Sequence, residues 1–174
     1  MTKQDIQQLP EYFDRYIHAA PDMPLTQALE TTGNPALMIP LAQLAALGTK
    51  TYAPGKWTIP DIVQHLIDTE RVLSYRALRL ARNDRTPLPG FEQDLFAEYA
   101  QATDRSLNDL LQEWRLVRES SKALFWSFSP DMYQRKGICS GMEIAVLSLG
   151  YVIAGHPVYH WKIVQERYLP LLQQ

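Results

Sequence analysis

Residues 57–81 read WTIPDIVQHLIDTERVLSYRALRLA, and this stretch contains the clearest helix start in the chain. Thr58 is a favoured capping residue, Pro60 suits an early helical position, and Asp61 complements the dipole of the first turn. The pattern predicts one long helix from Thr58 to about Asn83, where the loop NDRTPLPG begins.

Two more long helices are predicted downstream. The first runs from about Thr103 to Phe128 and stops at Ser129-Pro130. Its apolar stripe has helical period and consists of Leu107, Leu110, Leu111, Trp114, Val117, Ser121 and Leu124. The second is predicted to begin at a capping box, Ser140-Gly141-Met142-Glu143, and to continue to about Tyr168.

The N-terminal part is more broken. A short amphipathic helix is indicated by Tyr12, Phe13, Tyr16 and Ile17. Helix-breaking residues follow it, namely Pro21, Pro24, Gly33, Pro35 and Pro40. We expect helical segments near residues 24–32 and 36–47, either separate or joined as one bent helix.

No stretch of the chain has a convincing strand pattern. Long amphipathic helices joined by loops can bury their apolar stripes only against each other. The sequence therefore predicts a single all-α domain, residues 1–174, folded as a four-helix bundle with a short extra N-terminal helix.

Composition and charge narrow the class of function. With 46% hydrophobic and 21% charged residues, the chain has ordinary globular composition. A net charge of -2 gives no electrostatic reason to expect nucleic acid as a partner. The longest nearly uncharged apolar run, residues 144–155, is shorter than the roughly 20 residues of a bilayer span. Because no secretory signal pattern is present, we expect a cytoplasmic protein with no membrane partner.

A pair of histidines is the main candidate for chemistry. His156 and His160 are four residues apart, the spacing that places two side chains on one helix face. Two imidazoles at this spacing can bind one metal ion, and His65 is a third candidate ligand from another helix. Three histidines around one divalent cation leave a coordination position for water or substrate. The competing interpretation is that both histidines are partly buried and hydrogen-bonded to carbonyls or carboxylates, with His65 unrelated.

Residue 157 argues against a peptidase. In the H-E-x-x-H motif of zinc proteases a glutamate follows the first histidine and acts as general base, whereas here that position is Pro157. Pro157 also removes the hydrogen bond that its nitrogen would give to the carbonyl of Ile153. With Gly155 beside it, a local bend is expected at the pair.

At these residues the chain resembles the DinB superfamily, in particular its YfiT-like branch. The resemblance rests on the Gly55-Lys56-Trp57 lead-in, on the helix with His65 and Arg76, and on the Ala-Gly-His-x-x-x-His block of residues 154–160 with the following Glu-Arg-Tyr of residues 166–168. It implies an up-down-down-up four-helix bundle, often homodimeric. It also implies a divalent metal, zinc or nickel, with ligands His65, His156 and His160.

The resemblance implies two reactions on small molecules. Members are described as metal-dependent hydrolases, and a related branch transfers low-molecular-weight thiols such as bacillithiol or mycothiol to electrophiles. Both reactions use a metal that lowers the pKa of bound water or thiol, so the sequence does not choose between them. Two non-catalytic alternatives also stay open: a binding module in which the metal is structural, and a helical interaction protein with incidental histidines.

Other polar residues near His65 have less specific patterns. Arg76 lies three turns along the same face and is a candidate contact for an anionic group of substrate, although such an arginine often completes a structural ion pair. Asp68 and Glu70 lie further round the helix, so we expect both on the solvated surface rather than beneath the histidines. For Tyr75, Tyr151 and Tyr159 the expected role is packing.

Overall fold

The computed structural model of the chain describes residues 1–34 and 38–173. Within these residues the fold is dominated by three long helices, and the first of them, residues 59–81, packs against both of the others. The helices are, in chain order, α1 (Asp14–Ala19), α2 (Leu25–Thr31), α3 (Leu41–Leu47), α4 (Ile59–Ala81), α5 (Gln93–Ala100), α6 (Leu107–Trp126), α7 (Pro130–Tyr133) and α8 (Val146–Ile163). The predicted all-α bundle is thus confirmed in its main elements.

Helix α4 begins where its start signal predicts, whereas α6 begins at Leu107, a few residues after the predicted start near Thr103. The Thr58 hydroxyl accepts a hydrogen bond from the Asp61 backbone nitrogen, and the Asp61 carboxylate accepts one from the Thr58 backbone nitrogen at 2.9 Å. At α6, the Ser106 hydroxyl accepts from the Asp109 backbone nitrogen at 3.1 Å. Both caps satisfy backbone donors that the first turn leaves free, and thereby fix where each helix starts.

The expectation that the chain has no strand is wrong. Two short strands, β1 (Lys136–Cys139) and β2 (Met142–Ala145), pair as an antiparallel hairpin. The predicted capping box lies in its turn, because Ser140 and Gly141 have φ values of 54° and 81°. Two successive residues with positive φ form the tight turn that joins twisted strands, so α8 starts only at Val146.

Short helices pack beside the three long ones. Helix α2 packs against α6 and α8, whereas α3 packs against the C-terminal 3-10 turn Leu169–Leu172. The two predicted helical segments exist as separate helices, and each begins directly after a proline, Pro24 for α2 and Pro40 for α3. The first residues of the segment predicted over 36–47 lie outside the described residues.

Helix α8 is the centre of the core. Residues 146–157 are all buried, because α1, α2 and α4 each pack against this helix. Helix α1 crosses it so closely that a Cβ atom at Gly155 would lie 1.7 Å from the Tyr16 carbonyl oxygen. Only glycine permits this approach, which sets Tyr16 beside the next residue of α8, His156. In the described part of the chain, no helix is long and apolar enough to cross a membrane.

The C-terminal end is tied to the start of α4. After Ile163 the helix widens into a π-helical turn, Val164–Tyr168. The Tyr168 hydroxyl donates a hydrogen bond to the Trp57 carbonyl oxygen at 2.6 Å. Because Trp57 immediately precedes the cap of α4, this bond links the two helices that present the histidines.

Candidate metal centre

The three predicted histidines lie together in the fold. His65 extends from α4, and His156 and His160 extend from successive turns of α8. The Nε2 atom of His156 is 3.1 Å from Nε2 of His65 and 3.0 Å from Nε2 of His160. One ring nitrogen from each histidine lies within 4.8 Å of the others. Residues 91 positions apart in sequence thus present nitrogen donors to one point.

The two separations that involve His156 fit a shared cation. Two imidazole nitrogens bound at roughly 2.0–2.1 Å to one metal lie about 2.9 Å apart at a 90° angle and about 3.4 Å apart at a tetrahedral angle. The observed 3.0 and 3.1 Å fall between these values. A ring nitrogen has either one proton or one lone pair, so hydrogen bonding alone explains two such close contacts at His156 poorly.

Burial keeps the imidazoles uncharged. His65 and His156 are 6% and 4% exposed, and His160 is partly buried. Loss of water lowers the pKa of His65 to about 3, with a further contribution from the charge of His160, and lowers the pKa of His160 to about 4. The pKa of His156 is also lowered, first by burial and then by the neighbouring histidines and Arg118. Neutral imidazoles offer the lone pairs that metal binding requires.

Aromatic rings hold the histidines in place. Trp57 packs on His65 with ring centroids 4.6 Å apart, and Tyr16 meets His156 edge-on at 4.8 Å. The Thr69 hydroxyl lies 3.5 Å from Nδ1 of His65, one turn further along α4. These contacts restrict the rotation of the two most buried rings, so their Nε2 atoms are oriented toward each other before any ligand arrives.

The backbone beneath the pair is supported by a buried ion pair. Because Pro157 has no N–H group, the Ile153 carbonyl oxygen loses its helical partner. Arg118 of α6 replaces that partner, since its Nη2 atom donates to this oxygen at 3.2 Å. The same guanidinium donates to both carboxylate oxygens of Glu70 at 2.7 and 2.9 Å. Helix α8 therefore accommodates proline next to a histidine because a side chain from another helix satisfies the freed carbonyl.

The prediction that Glu70 lies on the solvated surface is wrong. It is 3% exposed, not on the solvated surface, and it also accepts a hydrogen bond from Nε1 of Trp114 at 3.1 Å. Asp68 accepts from the side chain of Gln64, so it does not support a histidine. A signal was available in the sequence, because Arg118 interrupts the apolar stripe of α6 four residues after Trp114.

The packing role expected of the tyrosines is seen at Tyr151 and Tyr159 but not at Tyr75. Tyr151 is buried and donates to the Met23 carbonyl oxygen at 2.7 Å, and Tyr75 is exposed. Tyr159 packs edge-on against Tyr16. Tyr16 itself lies at the site, and nothing in the local sequence indicated this, because its position depends on how α1 crosses α8.

A cavity of about 520 Å³ opens beside the histidines. His65 and His156 form part of its wall, together with Thr69 from α4 and Val152 from α8. Aromatic side chains line another part, namely Tyr12, Phe13, Tyr16 and Phe91. This volume is in the range of pockets that enclose small molecules. The cavity wall also includes Arg76, further along α4, and Ser140, in the turn of the hairpin.

Acidification should destabilise the metal-free protein through these histidines. At pH values between the lowered pKa of His160, about 4, and the ordinary histidine pKa of about 6.5, His160 binds a proton in the unfolded chain but not in the native protein. The free energy of unfolding therefore rises with pH over this interval. The contribution of His160 is complete above about pH 6.5, and about 2 kcal/mol of it should be lost between pH 7 and 5.

Urea denaturation of chelator-treated protein at several pH values measures this effect. The variant His160→Gln should show a weaker pH dependence than the wild type, whereas His18→Gln, which changes an exposed histidine, should match the wild type. Equal pH dependence in wild type and His160→Gln would contradict the prediction.

The chain matches a known family and a known fold. A model of the DinB superfamily matches residues 41–164. No curated protein matches the sequence. Among solved structures the chain is similar to YfiT from Bacillus subtilis, "a probable metal-dependent hydrolase with an unusual four-helix bundle topology", with a TM-score of 0.68, 16% identity and coverage of 97% of this chain and 91% of YfiT. At that identity the structural likeness shows the fold. Since the family match covers well over half of its residues, the chain belongs to the DinB superfamily.

Proposed function

We propose that this protein is a metal-dependent hydrolase that acts on a small molecule, and that His65, His156 and His160 hold its divalent cation, zinc or nickel. Three imidazoles from two helices converge beside a cavity, and this arrangement is the main support for the proposal. The description of YfiT as a probable metal-dependent hydrolase agrees with it.

The donor set favours Lewis-acid chemistry. In the described residues, the cluster that could hold a metal contains three histidines and no carboxylate. The nearby carboxylate of Glu70 is already engaged by Arg118 and Trp114. Neutral ligands leave the charge of a bound divalent cation uncompensated, and such a cation polarises a carbonyl group and lowers the pKa of water toward neutrality.

The side chains around the histidines position the substrate and exclude water from the site. Trp57 and Tyr16 cover the rings of His65 and His156 and leave the cavity as the approach to the histidines. Apolar walls around a polar centre reduce competition by bulk water and strengthen the electrostatic interactions within it. A substrate with an ester or amide carbonyl near the histidines and an apolar body along the aromatic wall fits this arrangement.

Metal analysis followed by an activity screen tests the proposal. Protein purified without an affinity tag should contain about one divalent cation per chain, and metal-loaded protein should hydrolyse activated esters of small carboxylic acids. The variant His160→Gln should lose both metal and activity, while His18→Gln should keep both. Absence of stoichiometric metal from wild-type protein, even after incubation with zinc or nickel, would reject the metal site.

The same screen separates hydrolysis from its alternatives. If an electrophile were consumed only after addition of a low-molecular-weight thiol, thiol transfer would replace hydrolysis as the reaction. If the protein held its metal, unfolded on chelation and catalysed neither reaction, the metal would be structural and the hydrolase proposal would be rejected.

A further inference from the structure

Arg76 is a buried arginine in the wall of the cavity. Arg76 is 2% exposed and lies on α4, the helix that also contains His65. Within residues 1–34 and 38–173 no carboxylate forms an ion pair with it, and its hydrogen bonds go to the Pro89 carbonyl oxygen at 2.7 Å and the Ser140 hydroxyl at 3.0 Å. Both bonds use Nη2, so Nε and Nη1 have no partner in the described part of the chain.

The contacts of Arg118, the other buried arginine, are those of an arginine with a structural role. Arg118 is also 2% exposed, but all three of its nitrogens are engaged. Its partners are the two carboxylate oxygens of Glu70, the carbonyl oxygens of Leu29 and Ile153, and the Thr32 hydroxyl. A buried cation is normally paired with an anion. Arg118 has such a counterion in Glu70, whereas Arg76 has none among the described residues.

The guanidinium of Arg76 is held in place by a connected backbone. Leu88 exchanges backbone hydrogen bonds with the hairpin, donating to the Ile138 carbonyl oxygen and accepting from the Ser140 nitrogen, each at 2.9 Å. This bridge joins the loop containing Pro89 to the turn containing Ser140, the two partners of Nη2. Burial lowers the pKa of Arg76, but an arginine remains a cation at neutral pH. The structure therefore presents a fixed positive charge to the cavity.

We propose that Arg76 is an anion-binding subsite, which pairs with the carboxylate of a small-molecule substrate whose other end lies at the three histidines. The position of that other end rests on the proposed function; the anion subsite does not. Exposed Glu92 and Asp94 also border the cavity and disfavour more highly charged ligands, so a monoanionic carboxylate fits better than a phosphate dianion.

The distance between His65 and Arg76 along α4 constrains the length of this substrate. Eleven residues separate His65 from Arg76, which places their Cα atoms about 16 Å apart along the helix axis. The carboxylate and the reacting group thus lie at different ends of the molecule. Between them the cavity has aromatic walls and the apolar side chains Leu73, Met142 and Val152, which suit an apolar or aromatic body.

Binding of a matched pair of probes tests the subsite without any catalytic assay. The acid 4-phenylbutyrate and its neutral amide differ mainly in charge, and both are titrated into metal-free protein and followed by NMR or calorimetry. The wild type should bind the acid about tenfold or more tightly than the amide, because hydrogen bonds to a charged group are the stronger kind. This preference should disappear in Arg76→Gln and be partly retained in Arg76→Lys.

Two further measurements keep the result interpretable. Arg85→Gln removes an exposed cation that does not line the cavity, so it should retain the preference for the acid and controls for the change in overall charge. Thermal denaturation identifies any variant that fails to fold; if Arg76→Gln does, Arg76→Lys decides the test, because it keeps the charge but loses the bidentate geometry and should reduce the preference. Equal binding of acid and amide by metal-free wild-type protein would overturn the subsite.

The test distinguishes the two proposals from each other. A preference for the acid in metal-free protein that depends on Arg76 would stand even if the histidines held no metal. A preference that appeared only after zinc loading and persisted in Arg76→Gln would place the carboxylate at the metal and overturn the subsite, with the metal proposal intact.

Discussion

Replacing Arg118 with methionine should lower the free energy of unfolding by about 3–5 kcal/mol, because Glu70 would then be a buried carboxylate without its counterion. Both side chains of this pair are nearly inaccessible, with 2% of Arg118 and 4% of Glu70 exposed. The carbonyl oxygens of Leu29 and Ile153 would also lose a donor. Urea denaturation at neutral pH measures the loss.

A double-mutant cycle separates the ion pair from the other bonds of Arg118. Glu70→Leu should also be strongly destabilising, since it isolates a buried cation, and the double variant should lose much less than the sum of the two. Some loss should remain in the double variant because the Ile153 carbonyl oxygen stays without a partner. Additive single effects would show that the pair contributes no coupling and would contradict this account.

The same helices offer a matched control at the surface. Arg71 of α4 and Glu113 of α6 form an ion pair of 2.6 Å, but half of the Arg71 side chain is exposed. Its coupling energy should be below about 1 kcal/mol, since water screens the charges and both side chains lose rotamer freedom. A large coupling there, comparable to that of the buried pair, would mean that burial is not what makes the Glu70–Arg118 pair strong.

Replacing His156 with glutamine should reduce the affinity for zinc or nickel by at least about a hundredfold. Loss of groups that merely orient a ligand already reduces metal affinity by about 10–100-fold, and His156 is the central nitrogen of the three. Competition with a chromophoric chelator measures the affinity of wild type and variant. Glutamine keeps an uncharged polar side chain at this buried position, and circular dichroism checks that the variant remains folded.

Stabilisation by metal provides an independent readout of the same site. Addition of zinc should raise the thermal midpoint of wild-type protein in a concentration-dependent way and should have little effect on the variant His156→Gln. The exposed His18 again supplies the control, since His18→Gln should behave as wild type. Unchanged metal affinity in His156→Gln would show that the three histidines are not a ligand set.

The predictions from sequence succeeded where structure is local. The start of α4 was predictable because Thr58 and Asp61 satisfy backbone donors within one turn. The hairpin was missed because Ser140-Gly141-Met142-Glu143 also fits a helix cap, and the choice between cap and turn depends on pairing with a second strand. The burial of Glu70 was missed because its partner Arg118 lies 48 residues away.

A helical period acts over a few residues, so the existence of the long helices and the pairing of His156 with His160 could be predicted from local sequence. Approach of His65 to that pair was decided by tertiary packing, across 91 residues of chain. The tertiary structure alone also decided that Gly155 lets α1 pass close to the site and that Arg118 satisfies the carbonyl freed by Pro157. Such contacts depend on which buried groups meet between helices, and local periodicity does not specify their partners.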